Sequence, residues 1–141
     1  MDRFIANSKH IQSDIKTLYG RDSTVIHPPV DTARFHSTAV VERSGFITVG
    51  RQTPYKKTDL IIEACNQLHL PLTVVGRGPE NAHLQKIAGP TISFDTNATD
   101  QAIETYMTSA EAFLFAAEED FGITPVEAMA AGTSVIADHA G

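Results

Sequence analysis

The chain has 141 residues, 42% of them hydrophobic and 20% charged, enough for one globular domain with a buried core. A formal net charge of −6, with Lys56-Lys57 the only basic doublet, excludes broad nucleic-acid binding. A single cysteine, Cys65, rules out a disulfide framework; no apolar run nears the ~20 residues that span a bilayer, and the start does not resemble a signal peptide.

The pattern predicts a strand over residues 3–6. A helix follows within 8–20, where Ile11, Ile15 and Leu18 recur at helical spacing and Gly20 stops the run. Val25-Ile26 reads as a short strand that Pro28-Pro29 must end, since proline lacks the ladder donor. Residues 31–44 are polar and irregular and read as a linker. Strand and helix then alternate. Strands are expected at Phe46–Val49, Leu72–Val75, 91–94, 112–116 and Ser134–Ala137, and helices at 58–69, 81–88, Asp100–Ser109 and 124–131. Nearly continuous apolar strands alternating with helices predict an α/β fold, a parallel sheet with helices on both faces. Right-handed crossovers put every strand C-terminus on one edge, so Gly50, Gly76, the Asp95 turn and Glu118-Glu119 should converge there.

The most informative stretch is 118–132, EEDFGITPVEAMAAG. Glu119 and Glu127, separated by seven residues, flank a Phe121-Gly122 turn that runs into a helix start. Thr124 is the expected N-cap, with Pro125 in the first turn and Gly132 as the stop. Bare backbone at Gly122 and the N–H groups near Ile123 suit an anion or a sugar hydroxyl. Thr124-Pro125-Val126-Glu127 also reads as a capping box, which leaves Glu127 open between a structural and a ligand role. Glu119 precedes the helix and has no capping duty. Arg51 and Lys56, at the end of the third strand, could be solvated surface cations or could grip a diphosphate. The glycines of Gly76-Arg77-Gly78-Pro79 need only mark a tight turn. The six histidines show no ligand spacing, so no metal site is expected.

These motifs resemble, in order and spacing, the retaining glycosyltransferases of family 4, the glycosyl transferases group 1, which have a two-domain GT-B fold. E-x7-E followed by Ala128-Met129-Ala130 resembles the family's signature. Phe46-Ile-Thr-Val-Gly-Arg51 with Lys56, and Leu72-Thr-Val-Val-Gly-Arg-Gly-Pro-Glu80, resemble its donor-binding elements. Residues 4–8 and 25–31 resemble the segment that closes the family's N-terminal domain. The resemblance implies a remnant of that domain plus linker over 1–35, and over 36–141 a Rossmann-like donor-binding domain, the C-terminal half of a GT-B fold truncated before its last elements. The N-terminal segment is then expected to be poorly packed or to take contacts from elsewhere.

The resemblance also implies roles. Arg51 and Lys56 would hold the donor diphosphate, Glu119 the hydroxyls of the transferred sugar and Glu127 the ribose, with Gly50, Gly76, Phe121, Gly122 and Ile123 completing the site. Lys57 fills a slot often held by glycine in the family and is the reserve for Lys56. Asn97 and Ala98 fall where the family frames the base, but the run Asp95-Thr96-Asn97-Ala98 lacks its usual glycine. The implied enzyme is a cytoplasmic hexosyltransferase, needing no cofactor or metal and associated peripherally with the inner face of a membrane when whole. Its donor would be a nucleotide sugar, with GDP-mannose the first expectation from a similarity to mannosyltransferases of surface-polysaccharide assembly. Its acceptor would be a glycan or a lipid-linked sugar held by the missing N-terminal domain, so this chain alone should transfer little. A non-catalytic sugar-nucleotide-binding module and a GT-B sugar-nucleotide epimerase are the alternatives.

Overall fold

The computed structural model describes residues 3–35 and 42–138. The middle of the expected linker and the last three residues lie outside that range.

The chain begins with a small β-α-β unit. Strand β1, Phe4–Ala6, leads to helix α1, Lys9–Tyr19, and then to β2, Ser23–Val25. The Ser8 hydroxyl caps α1 by accepting from the Ile11 N–H at 3.1 Å, and Gly20 ends it in the left-handed conformation at φ 64°. β2 lies earlier than expected and pairs in parallel with β1, Phe4 opposite Ser23 and Ala6 opposite Val25. Its position is set by where the chain returns after Gly20, and Thr24 suits a strand as well as Ile26 does.

The rest forms a five-stranded sheet in the order β5-β4-β3-β6-β7, every pair parallel. Its strands are β3 (Phe46–Val49), β4 (Leu72–Val75), β5 (Ile92–Asp95), β6 (Ala112–Phe115) and β7 (Ser134–Ala137). The helices between them are α2 (Thr58–Leu68), α3 (Asn81–Ile87), α4 (Asp100–Ser109) and α5 (Ile123–Ala130). The strands' apolar residues split between two cores, as alternating side chains must. Ile47, Val75 and Phe113 pack with Met107 of α4 and Ala128 of α5. Phe46, Leu72 and Val74 pack with Ile61, Ile62 and Cys65 of α2 and Leu84 of α3. Both faces are covered, as the continuous apolar strands require.

Two further features depart from the expected layout. Phe35, assigned by sequence to the linker, is 1% exposed in the first core, at the end of a 3-10 turn over Ala33–Phe35 packed against α4 and α5. One aromatic residue in a polar stretch has no periodicity to announce it. The second is the 3-10 turn Pro54–Lys56, which ends at Lys57 with φ 50°. Lys57 therefore holds a left-handed conformation that glycine adopts without strain, which fits a slot often occupied by glycine.

Chain order runs from β3 outward to β4 and β5, then returns to the other side of β3 for β6 and β7. The direction reverses between β3 and β6. In open parallel sheets the crevice outside the strand C-termini at such a reversal is where ligands bind.

Candidate functional site

The floor of the site is built by two turns in contact. A Cβ on Gly76, which has φ +121°, would lie 2.1 Å from the Gly50 carbonyl oxygen, and one on Gly78 would lie 2.2 Å from that of Gln52. Only glycine permits that approach. Buried Gln52 locks the turns together, its amide donating to the Gly76 carbonyl at 2.8 Å and accepting from Asn81 Nδ2 at 2.8 Å. At the end of β5 the Asp95 carboxylate accepts from the Asn97 N–H at 3.0 Å and from the Tyr106 hydroxyl at 3.0 Å, which fixes the next turn. These three strand ends, aligned at Val49, Val75 and Asp95, surround a cavity of about 560 Å³. Gly50, Arg51, Gly76, Arg77, Asn97 and Ala98 are among its lining residues.

A narrower crevice continues from Val49, Gly50 and Arg51 to Lys56 and Phe115. Here the Lys56 ammonium forms an ion pair with the Glu119 carboxylate, joining the loops after β3 and β6 at the chain reversal. Both side chains are mostly covered, 19% and 24% exposed. The ammonium also lies 5.2 Å from the Tyr55 ring centre and 5.8 Å from that of Phe115, a geometry that favours the cation. Arg51 lines both cavities and, among the described residues, has no side-chain partner. Lys57 turns to Asp138 at 3.6 Å instead.

Helix α5 begins differently from the sequence expectation. Its N-cap is Gly122, at φ 77° with no side-chain cap, and the first helical residue is Ile123. Thr124 is therefore inside the helix, not its cap, and the proposed box between Thr124 and Glu127 does not form. The reason is local: a left-handed glycine reverses the chain early, and Pro125 still falls in the first turn, where its missing N–H costs nothing. Glu127 is thus released from capping. Burial raises its carboxyl above the ordinary range, the Arg34 guanidinium opposes that rise, and Asp100 adds to it. Arg34 is held against α4 by Nε donating to Glu104 at 2.6 Å and Nη2 donating to the Asp100 carbonyl at 3.2 Å. The loop before α5 meets the N-terminal unit, with His10 Nε2 3.8 Å from Glu118 and the His27 and Phe121 rings 5.5 Å apart.

The structure thus gathers Gly50, Arg51, Gly76, Asn97 and Ala98 around one cavity and seats Lys56 and Glu119 together beside it. Gly122 and Ile123 start the helix that carries Glu127, whose carboxyl feels the Arg34 charge, and Phe121 packs on His27. Sequence reasoning did not single out Gln52, Arg34 or Arg77. For Arg77 a signal existed, its place between two glycines after a strand; Gln52 and Arg34 carried none. Among the described residues no group of three or more His, Cys, Asp or Glu is placed to hold a metal ion, and no helix is long and apolar enough to cross a membrane.

Residues 29–141 match the family described as Glycosyl transferases group 1. The chain belongs to that family. Among curated proteins, D-inositol 3-phosphate glycosyltransferase 2 of Catenulispora acidiphila is 29% identical over 99% of the chain. The match spans 40% of that relative's own length. Among solved structures, a mutant TarM of S. aureus in complex with Fondaparinux, alpha-GlcNAc-glycerol and UDP superposes with a TM-score of 0.83 at 15% identity. It covers 99% of this chain and 30% of that one. HepE of Anabaena, in complex with UDP and glucose, gives 0.82 at 21% identity, over 99% and 45% of the two chains. These likenesses establish the α/β architecture of a group 1 glycosyltransferase domain.

Proposed function

We propose that this chain is the donor-binding part of a glycosyltransferase that moves a hexose from a nucleotide sugar to an acceptor with retention of configuration. The observation that carries this reading is the cavity beyond β3, β4 and β5, opening through Arg51 into the crevice with the Lys56–Glu119 pair. The base lies against Asn97 and Ala98, the diphosphate meets Arg51 and Lys56, and the sugar hydroxyls meet Glu119. Glu127 takes the ribose diol, and the N–H groups near Gly122 and Ile123 assist the phosphates. The chemistry follows from charge. As the glycosidic bond breaks, the leaving diphosphate gains negative charge, and the two cations Arg51 and Lys56 stabilise it without a metal or cofactor. The acceptor approaches the same face of the sugar, held by a second domain, and GDP-mannose and UDP-sugars are the donors to set against each other. Two of the similar structures hold UDP, which supports the second, and Starch Synthase IV of Arabidopsis thaliana is bound to ADP. The curated relative's name adds D-inositol 3-phosphate to glycans and lipid-linked sugars as an acceptor to assay.

Calorimetric titration of the chain with UDP, GDP and ADP tests the reading. At least one should bind, and Arg51→Ala should weaken it about ten- to a hundredfold, the loss of a charge-assisted hydrogen bond. Unchanged affinity would remove Arg51 from the site. In the whole protein, turnover of a sugar nucleotide without acceptor would indicate an epimerase instead.

A further inference from the structure

The cavity holds a second guanidinium to which no role has yet been given. Arg77 leaves β4, the middle of the three strands whose ends line up at Val49, Val75 and Asp95. Neighbouring strands lie about 4.8 Å apart, so Arg77 stands between the Arg51 turn and the 96–98 turn. Its backbone is fixed. Gly76 and Gly78 press onto the β3 exit, and the Arg77 carbonyl accepts from the Gln52 N–H at 3.1 Å. Its side chain is exposed and, among the described residues, has no hydrogen-bond or ion-pair partner.

Position divides the labour of the two arginines. Arg51 lines both the wide cavity and the crevice leading to Lys56, whereas Arg77 lines only the wide cavity, with Thr96, Asn97, Ala98 and Ile103. We infer that Arg77 is a binding residue for the nucleoside half of the ligand, its planar guanidinium covering the base or ribose face while Arg51 and Lys56 take the diphosphate. This deepens the proposed function and rests on it. A guanidinium plane stacks on a base, an ammonium does not replace it there, and the apolar Ala98 and Ile103 suit a flat ring. The contact is to a ring face, which all bases share, so Arg77 adds affinity for nucleosides as a class.

The test uses the whole 141-residue chain. Titration with UDP, GDP and ADP identifies the tightest nucleotide, and that diphosphate and its monophosphate are then measured on the parent and three variants. Arg77→Ala should weaken both ligands by the same factor, about two- to fivefold, the range expected for an exposed cation over a ring. Arg77→Lys should not restore the loss. Arg51→Ala should instead weaken the diphosphate far more than the monophosphate. Equal affinity of Arg77→Ala and the parent overturns the inference and leaves the donor-site reading standing. So does a loss confined to the diphosphate or a full rescue by lysine, either of which makes Arg77 a phosphate contact. If the parent binds none of the three nucleotides, the donor-site reading and the inference fall together. A thermal melt of Arg77→Ala matching the parent's shows that the variant is folded, as the exposed side chain leads one to expect.

Discussion

Glu127, proposed above to take the ribose diol, shows how a residue can oppose the stability of its own fold. Its carboxyl is raised above the ordinary value of 4.5, first by burial, with Asp100 acting in the same direction and Arg34 against both. The sign of the linkage follows. Below the unfolded-state value both states hold the proton and the folded state loses nothing. As pH rises through the higher folded-state value, the carboxylate must ionise in a partly desolvated place, and stability falls. Glu127→Gln should therefore be more stable than the parent at pH 7, with the gain vanishing in urea titrations below pH 4.5. The same variant should bind a nucleotide sugar more weakly. A neutral or destabilised variant at pH 7 would show that Arg34 outweighs burial.

Helix starts make the second case, because three of them look alike in sequence and differ in structure. Ser8 and Thr99 cap α1 and α4 with their hydroxyls, accepting from the Ile11 and Ala102 N–H groups. Thr124 resembles them on paper yet sits one residue inside α5, behind Gly122. Thr99→Ala should cost about 1 kcal/mol in denaturant melts, the usual worth of a cap, and Thr124→Ala clearly less. Equal costs would mean that Thr124 does cap. This contrast marks where the sequence is legible. Strands β3, β4 and β7 fall where continuous apolar runs end in glycine, proline or polar residues, because burial on both faces leaves no other pattern. Glycine's freedom to reverse the chain at Gly122 leaves no such trace, and it shifted the helix start. Phe35 and Gln52 were illegible for a related reason: their partners lie on other elements, and no local spacing encodes them. Much of the site could be read because strand C-termini share an edge by topology alone. The pairing of Lys56 with Glu119, and the influence of Arg34 on Glu127, join elements far apart in the chain and no local spacing encodes them.

The N-terminal unit and the five-stranded sheet differ in how deeply they are secured. Among the described residues β1 and β2 pair only with each other, Ile5 is 65% exposed, and Leu18 of α1 is 74% exposed. Two contacts join the unit to the rest, His10 on Glu118 and His27 on Phe121, both on the loop that carries Glu119. Few buried apolar contacts imply easy local opening. Amide hydrogens of β1 and β2 should therefore exchange at least about tenfold faster than those of β3 and β4. Matching protection would show that the two parts open as one.

The ion pair between the β3 and β6 loops has a kinetic meaning on the proposed reading. In the structure Lys56 and Glu119 neutralise each other. An incoming sugar nucleotide offers both of them substitutes, oxyanions for one and hydroxyls for the other. Once the hexose departs, the spent nucleotide satisfies the lysine alone, and the stranded carboxylate pulls that lysine back. On that reading the domain resets itself, because the two side chains that receive the donor also favour ejection of its leaving group.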